Sequence, residues 1–332
     1  MNEETLPSNG RGSRVAEKAP KGRLGAAVRI ILSLALLALV LRQVSWQEVW
    51  QAVRQAQAPC LAAALALSLA GVGVRAYRWK ILLNALGLQP SLARLTVLYF
   101  VGTFFNNFLP TGVGGDVVRV YELAQESKRP AAAVGTVLLD RATGLLVLFL
   151  IALLALAFSY RLVSLPIAAA IVLLFIAGWG GSAFALQRHW LERLGLWRWV
   201  ERFDLLRGAY EAVHACGARA IGGAMGVSLG LNVLLIAMNV WIARGLGVKL
   251  SLWYFLLFVP IISFLLVLPV SLSGLGVREG GYVFLFGEAG VPAHLALSLS
   301  LIVYAFNNVI PGIVGAVLYA WQGLRGLRHA ED

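Results

Sequence analysis

The sequence predicts an all-α polytopic membrane helix bundle, with about six spanning helices, two re-entrant hairpins and an inverted repeat. Three observations predict it. Hydrophobic residues make up 59% of the 332-residue chain and charged residues 13%, whereas a soluble domain carries roughly a quarter charged residues. Apolar runs such as 28–41, 60–74 and 145–158, with flanking small residues, approach the ~20 positions that cross a ~30 Å hydrocarbon layer. Two further apolar segments, 92–109 and 251–270, end in Leu-Pro followed by a glycine cluster.

Residues 1–24 mix charges of both signs with Pro, Gly and Ser, which predicts a disordered cytoplasmic tail rather than a cleaved signal peptide. A transmembrane domain over 25–325 follows, with spans expected at 25–42, 59–82, 131–159, 165–186, 221–243 and 293–321, and a short tail at 326–332. Between 188 and 220 the residues Trp190, Leu194, Trp197, Phe203, Leu206, Tyr210 and Val213 recur near helical spacing with charges between them. That spacing predicts one amphipathic helix in the inner interface. Tryptophans near span ends, Trp46, Trp79, Trp190, Trp253 and Trp321, fit interfacial anchoring.

The net charge of +12 reads as positive loops on the cytoplasmic side rather than as a nucleic-acid surface. Lys and Arg concentrate in the tail, in 75–94 and in 187–220. All three lie inside only if 92–109 enters and returns on one face. By the same parity a re-entrant 251–291 leaves Arg325 and Arg328 inside, so both termini are expected in the cytoplasm, with the chain in the cell inner membrane.

Leu109-Pro110-Thr111-Gly112-Val113-Gly114 recurs loosely as Leu268-Pro269 followed by Gly274-Leu275-Gly276. Repeat halves of about 25–160 and 165–322 each hold an odd number of crossings, so the second is expected to be inverted, a common transporter architecture. The two cysteines, Cys60 and Cys216, fall on opposite sides in this topology, and the four histidines are scattered without metal-ligand spacing. No cofactor is expected.

The densest polar cluster surrounds the first Leu-Pro. Asn107 precedes it, and Gly112, Gly114 and Gly115 let the backbone turn before Asp116, read as the N-cap of a new helix, and Arg119. Helix N-terminal amides there offer positive potential to an anion such as a phosphate headgroup, with Arg119 adding a charge-assisted bond. The second glycine turn carries Ser273, Gly274, Gly276, Arg278 and Glu279. Asp140 and Arg141 fall well inside the span that begins at 131, ~14 Å deep at ~1.5 Å per residue. An unpaired charge at that depth costs about 2.5 to 3.5 kcal/mol. Asp140 is therefore expected to meet Arg119 or Arg278, and Arg141 to meet Asp116 or Glu279. A static ion-pair network is the alternative reading. Asn307 and Asn308 echo Asn106 and Asn107 as a Phe-Asn-Asn triplet and are expected to bond across helices. There is no Walker loop, Ser-His-Asp pattern or HExxH motif, so the chain is not expected to be an enzyme.

The string Asn107-Phe108-Leu109-Pro110, Gly112, Gly114-Gly115-Asp116-Val117-Val118-Arg119 and then Leu139-Asp140-Arg141 with Gly144 resembles the transmembrane region of lysylphosphatidylglycerol synthases and their flippase-like relatives. Gly274-Leu275-Gly276-Val277-Arg278-Glu279-Gly280 resembles a second signature of that family. The resemblance covers roughly 24–325. It implies translocation of a membrane lipid with an anionic, aminoacylated or polyprenyl-linked headgroup, with Asp116, Arg119, Asp140, Arg141, Arg278 and Glu279 on motif positions. Bifunctional members carry a soluble aminoacyl transferase domain after this region, and the chain ends at Asp332, so a synthase reaction is not expected. Alternatives are a membrane-embedded enzyme acting on a lipid-linked substrate and a non-catalytic partner of a separately encoded lipid-modifying enzyme.

Overall fold

The computed structural model describes residues 44–108, 114–267 and 274–328, with 37, 38 and 42. The tail 1–24, most of the expected first span at 25–42, both Leu-Pro turns, Gly112, Ser273 and residues 329–332 lie outside the described residues. Among the described residues every regular element is helical. Five helices are long and apolar enough to cross a membrane: Ala58–Ala85, Pro130–Leu162, Leu165–Ala185, Asp204–Gly245 and Ala293–Gln322. They coincide with five of the expected spans.

The first half runs α1 (Trp46–Gln55), α2 (Ala58–Ala85), α3 (Leu92–Phe108), α4 (Gly114–Ser127) and α5 (Pro130–Ser159). Pro59 and Pro130 sit in the first turns of α2 and α5, where a missing amide hydrogen leaves no intrahelical bond unmade. Helix α6 (Leu165–Phe175) continues through a π turn at Ile176–Gly180 into α7 (Gly181–Ala185). Two short helices, α8 (Arg188–Arg193) and α9 (Trp197–Glu201), precede the long α10 (Asp204–Gly245). Then come α11 (Leu252–Leu265), α12 (Val277–Glu288), α13 (Ala293–Tyr304), a π turn at Ala305–Val309 and α14 (Ile310–Arg328).

The helices pack by close backbone approach as well as by side-chain burial. α2 lies along α10, α3 packs on α4 and α14, and α11 packs on α5 and α12. A Cβ on Gly115 would overlap the carbonyl of Gly102, and one on Gly315 would overlap the carbonyl of Phe100. Glycine is therefore what lets α3 touch both neighbours. The α3–α4 pair is antiparallel, because Arg94 near the start of α3 bonds Glu122 at 2.9 Å and also Glu126 near the end of α4. The chain thus enters and leaves this hairpin at one end. Phe255, Phe258 and Phe286 are buried in the second half, with Tyr282 stacked on Phe286. Phe158, Leu165 and Val317 point outward, 78%, 82% and 64% exposed, a pattern that lipid tolerates and water penalises.

One expectation needs correction. Residues 188–220 are not one amphipathic helix, because Gly195 takes φ 69° after α8 and Gly217 takes φ 71° within α10, a left-handed region that glycine enters freely. Its C-terminal part belongs to α10 instead. Arg75, Arg78 and Lys80 of the basic segment 75–94 belong to α2, in keeping with the expected span 59–82. The stretch after position 45, which no expected span covers, forms α1, whose Val49 is buried against Leu297 while Trp46 and Trp50 face outward.

Candidate functional site

The charged residues of the first hairpin and of α5 meet in one place. Asp140, 1% exposed, accepts from Arg78 Nε at 2.7 Å through Oδ1. Its Oδ2 accepts from Arg119 Nη2 at 3.1 Å and from the Tyr99 hydroxyl. Asp116 accepts from Arg119 Nη1 at 3.2 Å through Oδ1 and from Arg141 Nε through Oδ2. Arg119 therefore bridges two carboxylates, each of which holds a second guanidinium.

Each member is placed by its helix. Arg119 lies one turn after Asp116 on α4, the spacing at which side chains meet on a helix face. Its guanidinium stacks over Tyr99 at 3.7 Å and Trp79 at 4.3 Å, and Trp79 is fixed by donating from Nε1 to Thr136 Oγ1 at 3.2 Å. Arg78 also donates to Ser228 Oγ at 3.0 Å, tying the site to α10. A Cβ on Gly144 would stand 2.7 Å from Arg78 Nη1, so that glycine leaves the room the guanidinium occupies. Asn232 Nδ2 donates to the Gly144 carbonyl at 3.1 Å beside it.

A cavity of about 250 Å³ opens among α2, α3, α4 and α5. Arg75, Arg78, Arg119 and Arg141 line it with Asp116 and Asp140. Of the residues expected from the sequence, Gly115, Asp116, Arg119, Asp140 and Arg141 reach it. Among the described residues, Arg119 Nε is buried there with no hydrogen-bond partner.

Other expectations turn out differently. Asp116 stands in the first turn of a helix that begins at Gly114 rather than at its N-cap, and the amide of Gly115 is already taken by Asn106 Oδ1 at 2.7 Å. Asn107 donates from Nδ2 to the carbonyl of Asn308 at 2.9 Å, so the two Phe-Asn-Asn triplets bond to each other across α3 and the second π turn. Ser68 Oγ extends this seam, donating to the Phe306 carbonyl at 2.8 Å and to Asn307 Oδ1 at 3.2 Å. Among the described residues, neither Asp140 nor Arg141 meets the second turn. Arg278 pairs with its neighbour Glu279 and stacks over Tyr304 at 3.9 Å. Glu279 Oε2 accepts from the amide of Gly276 at 2.7 Å, and Gly274 and Gly276 take φ of 80° and 79°. This second cluster is a helix start whose charges pair with each other, although Arg278 Nε is buried without a hydrogen-bond partner among the described residues, and no ion pair among the described residues reaches it from the first.

Arg75, Arg78, Tyr99 and Asn106 line the cavity but are not in the sequence-derived set. Arg75 and Arg78 read as cytoplasmic-side basic residues at the end of span 59–82. Their three-residue spacing inside a helical window, with Trp79 adjacent, was the available signal that they share a buried face. Tyr99, inside an apolar run, gave none.

Residues 26–315 match the profile of the lysylphosphatidylglycerol synthase TM region. A curated relative, a UPF0104 membrane protein of Methanothermobacter thermautotrophicus, is 23% identical over 279 residues, covering 74% of this chain and 78% of its own length. Arg78, Asp116, Arg119, Asp140 and Arg141 lie within the matched residues, as do all five apolar helices except the last few residues of the fifth. The chain is a multi-pass membrane protein that belongs to the lysylphosphatidylglycerol synthase TM region family.

Proposed function

We propose that the protein is a flippase-like transporter that moves a lipid with a phosphate-bearing headgroup between leaflets and leaves it chemically unchanged. The observation that carries this reading is the cavity in which four guanidiniums and two carboxylates converge between apolar helices. Taking such charges out of water costs several kcal/mol per ion even when paired. Apolar side chains would serve packing better, so a lining of this kind supports a polar cargo. Acyl chains stay in lipid while the headgroup uses the cavity.

The topology belongs to the same proposal. Both hairpins re-enter, the termini face the cytoplasm of the cell inner membrane, and the halves form an inverted repeat. The turns after α2 and α10 support the repeat: Leu86-Gly87-Leu88 and Leu246-Gly247-Val248 end these helices alike, with Gly87 at φ 75° and Gly247 at φ 77°. In each, the amide three residues past the helix, Leu88 or Val248, returns to a carbonyl five residues back, Leu83 at 3.0 Å and Ala243 at 2.9 Å, the Schellman closure. Lys128 before α5 and Gly290 before α13 likewise both take positive φ. Packing is reciprocal too: hairpin helix α3 lies on the last span, and hairpin helix α11 lies on α5.

Liposomes reconstituted with the full chain and headgroup-labelled lipids test the reading. Lipid exchange faster than in empty vesicles, slowed by Asp140→Asn, is expected. Exchange equal to empty vesicles for anionic, aminoacylated and polyprenyl-linked lipids alike overturns it, and mass spectrometry showing a modified lipid converts the protein into an enzyme.

A further inference from the structure

The charges of the cavity do not balance, and the imbalance is localised. Arg78, Asp116, Arg119 and Asp140 are 5%, 7%, 4% and 1% exposed. These four sum to zero and pair with one another. The surplus resides on Arg75 and Arg141, which line the same cavity. The Arg141 side chain is 39% exposed and shares Asp116, already bonded to Arg119. Arg75 has no ion pair among the described residues.

Two uncompensated positive charges beside a low-dielectric interior call for a ligand with two negative ones. The buried Arg119 Nε without an acceptor calls separately for an oxygen. A phosphodiester brings one charge and two unesterified oxygens. A phosphate monoester brings about −1.5 to −2 at pH 7 and three acceptor oxygens, which suit guanidinium forks. A cavity of about 250 Å³ is large enough for such a group.

We infer that the cavity selects a terminal phosphate, a phosphate monoester dianion, over phosphodiester headgroups, with Arg75 and Arg141 supplying the two charges that set the preference. This rests on the transport reading for its lipid but not for its chemistry. The same group is borne by a monoester lipid and by free phosphate, so both sources enter the test.

The experiment uses the full chain in nanodiscs and measures binding of a polyprenyl monophosphate, phosphatidylglycerol and inorganic phosphate, with liposome exchange of the two lipids in parallel. The monoester lipid is expected to bind at least roughly tenfold more tightly than the diester, the effect of one added charge near a guanidinium. The preference should shrink below about pH 6, where the monoester loses its second charge, and should collapse in Arg75→Gln and Arg141→Gln. Arg75→Lys and Arg141→Lys, which keep the charge, should retain most of it and control for folding. Equal affinity for monoester and diester overturns the inference while exchange of either lipid leaves transport standing. Monoester preference with no exchange of either lipid does the reverse. Inorganic phosphate binding as tightly as the lipid supports the terminal-phosphate chemistry and assigns its source to solution.

Discussion

Arg78 Nε donates to Asp140 Oδ1 at 2.7 Å between side chains 6% and 2% exposed. This joins α2 to α5 by a pair that neither helix could bury alone. Removing one partner of a buried pair costs about 3 to 5 kcal/mol, because the other charge is stranded. Arg78→Gln and Asp140→Asn are each expected to lower the melting temperature in detergent. The double variant should lose less than the sum, with a coupling of about 0.5 to 3 kcal/mol. Additive losses would show that the pair contributes nothing.

Arg119→Lys keeps a charge but gives up the planar fork that spans Asp116 and Asp140 and the stacking on Tyr99 and Trp79. Charge-assisted bonds contribute about 1.5 to 3 kcal/mol each, so the transport rate should fall by roughly tenfold or more. A rate within a factor of two of wild type would place Arg119 outside the working site.

The glycines separate into two kinds. Gly115→Ala and Gly315→Ala put a methyl group against a backbone carbonyl and should destabilise by about 1 to 3 kcal/mol. Gly222→Ala and Gly226→Ala on α10, with nothing within 4 Å of the added carbon, should be neutral or stabilising by up to about 1 kcal/mol. Thermal unfolding of the four variants checks the contrast.

Topology is testable with single cysteines, since Cys60 and Cys216 are buried and leave a low background. Gln89→Cys and His189→Cys, both exposed, should react with an impermeant maleimide from the same membrane face and Lys249→Cys from the other. Labelling of Gln89→Cys and His189→Cys from opposite faces would mean that the α3–α4 segment crosses once, and the re-entrant reading would fall.

Much of this architecture was legible because it follows from solvent transfer. A bilayer demands long apolar runs, and five of the expected ones are helices. Asp116, Arg119, Asp140 and Arg141 stood out for the same reason, as charges where lipid forbids unpaired ones. For Asp140 and for Arg141, one of the two partners weighed from sequence is the one found. The pairing of Asp140 with Arg78 was hidden because the positive-inside rule accounts for any arginine near a span end, whether it faces water or a carboxylate. The breaks at Gly195 and Gly217 were hidden as well. A glycine is compatible with a helix, and only the packing of α9 and α10 decides whether it leaves one.

The four charges shared by Arg78, Asp116, Arg119 and Asp140 also bear on the membrane voltage. A single elementary charge carried across 100 mV involves about 2.3 kcal/mol, enough to bias any motion strongly. A set that sums to zero and stays bonded together feels almost no such force when displaced as a unit. The quartet itself can thus shift with its helices through the field electrically silent, and voltage would act on Arg141, which is bonded to Asp116, on Arg75 and on whatever the cavity takes up.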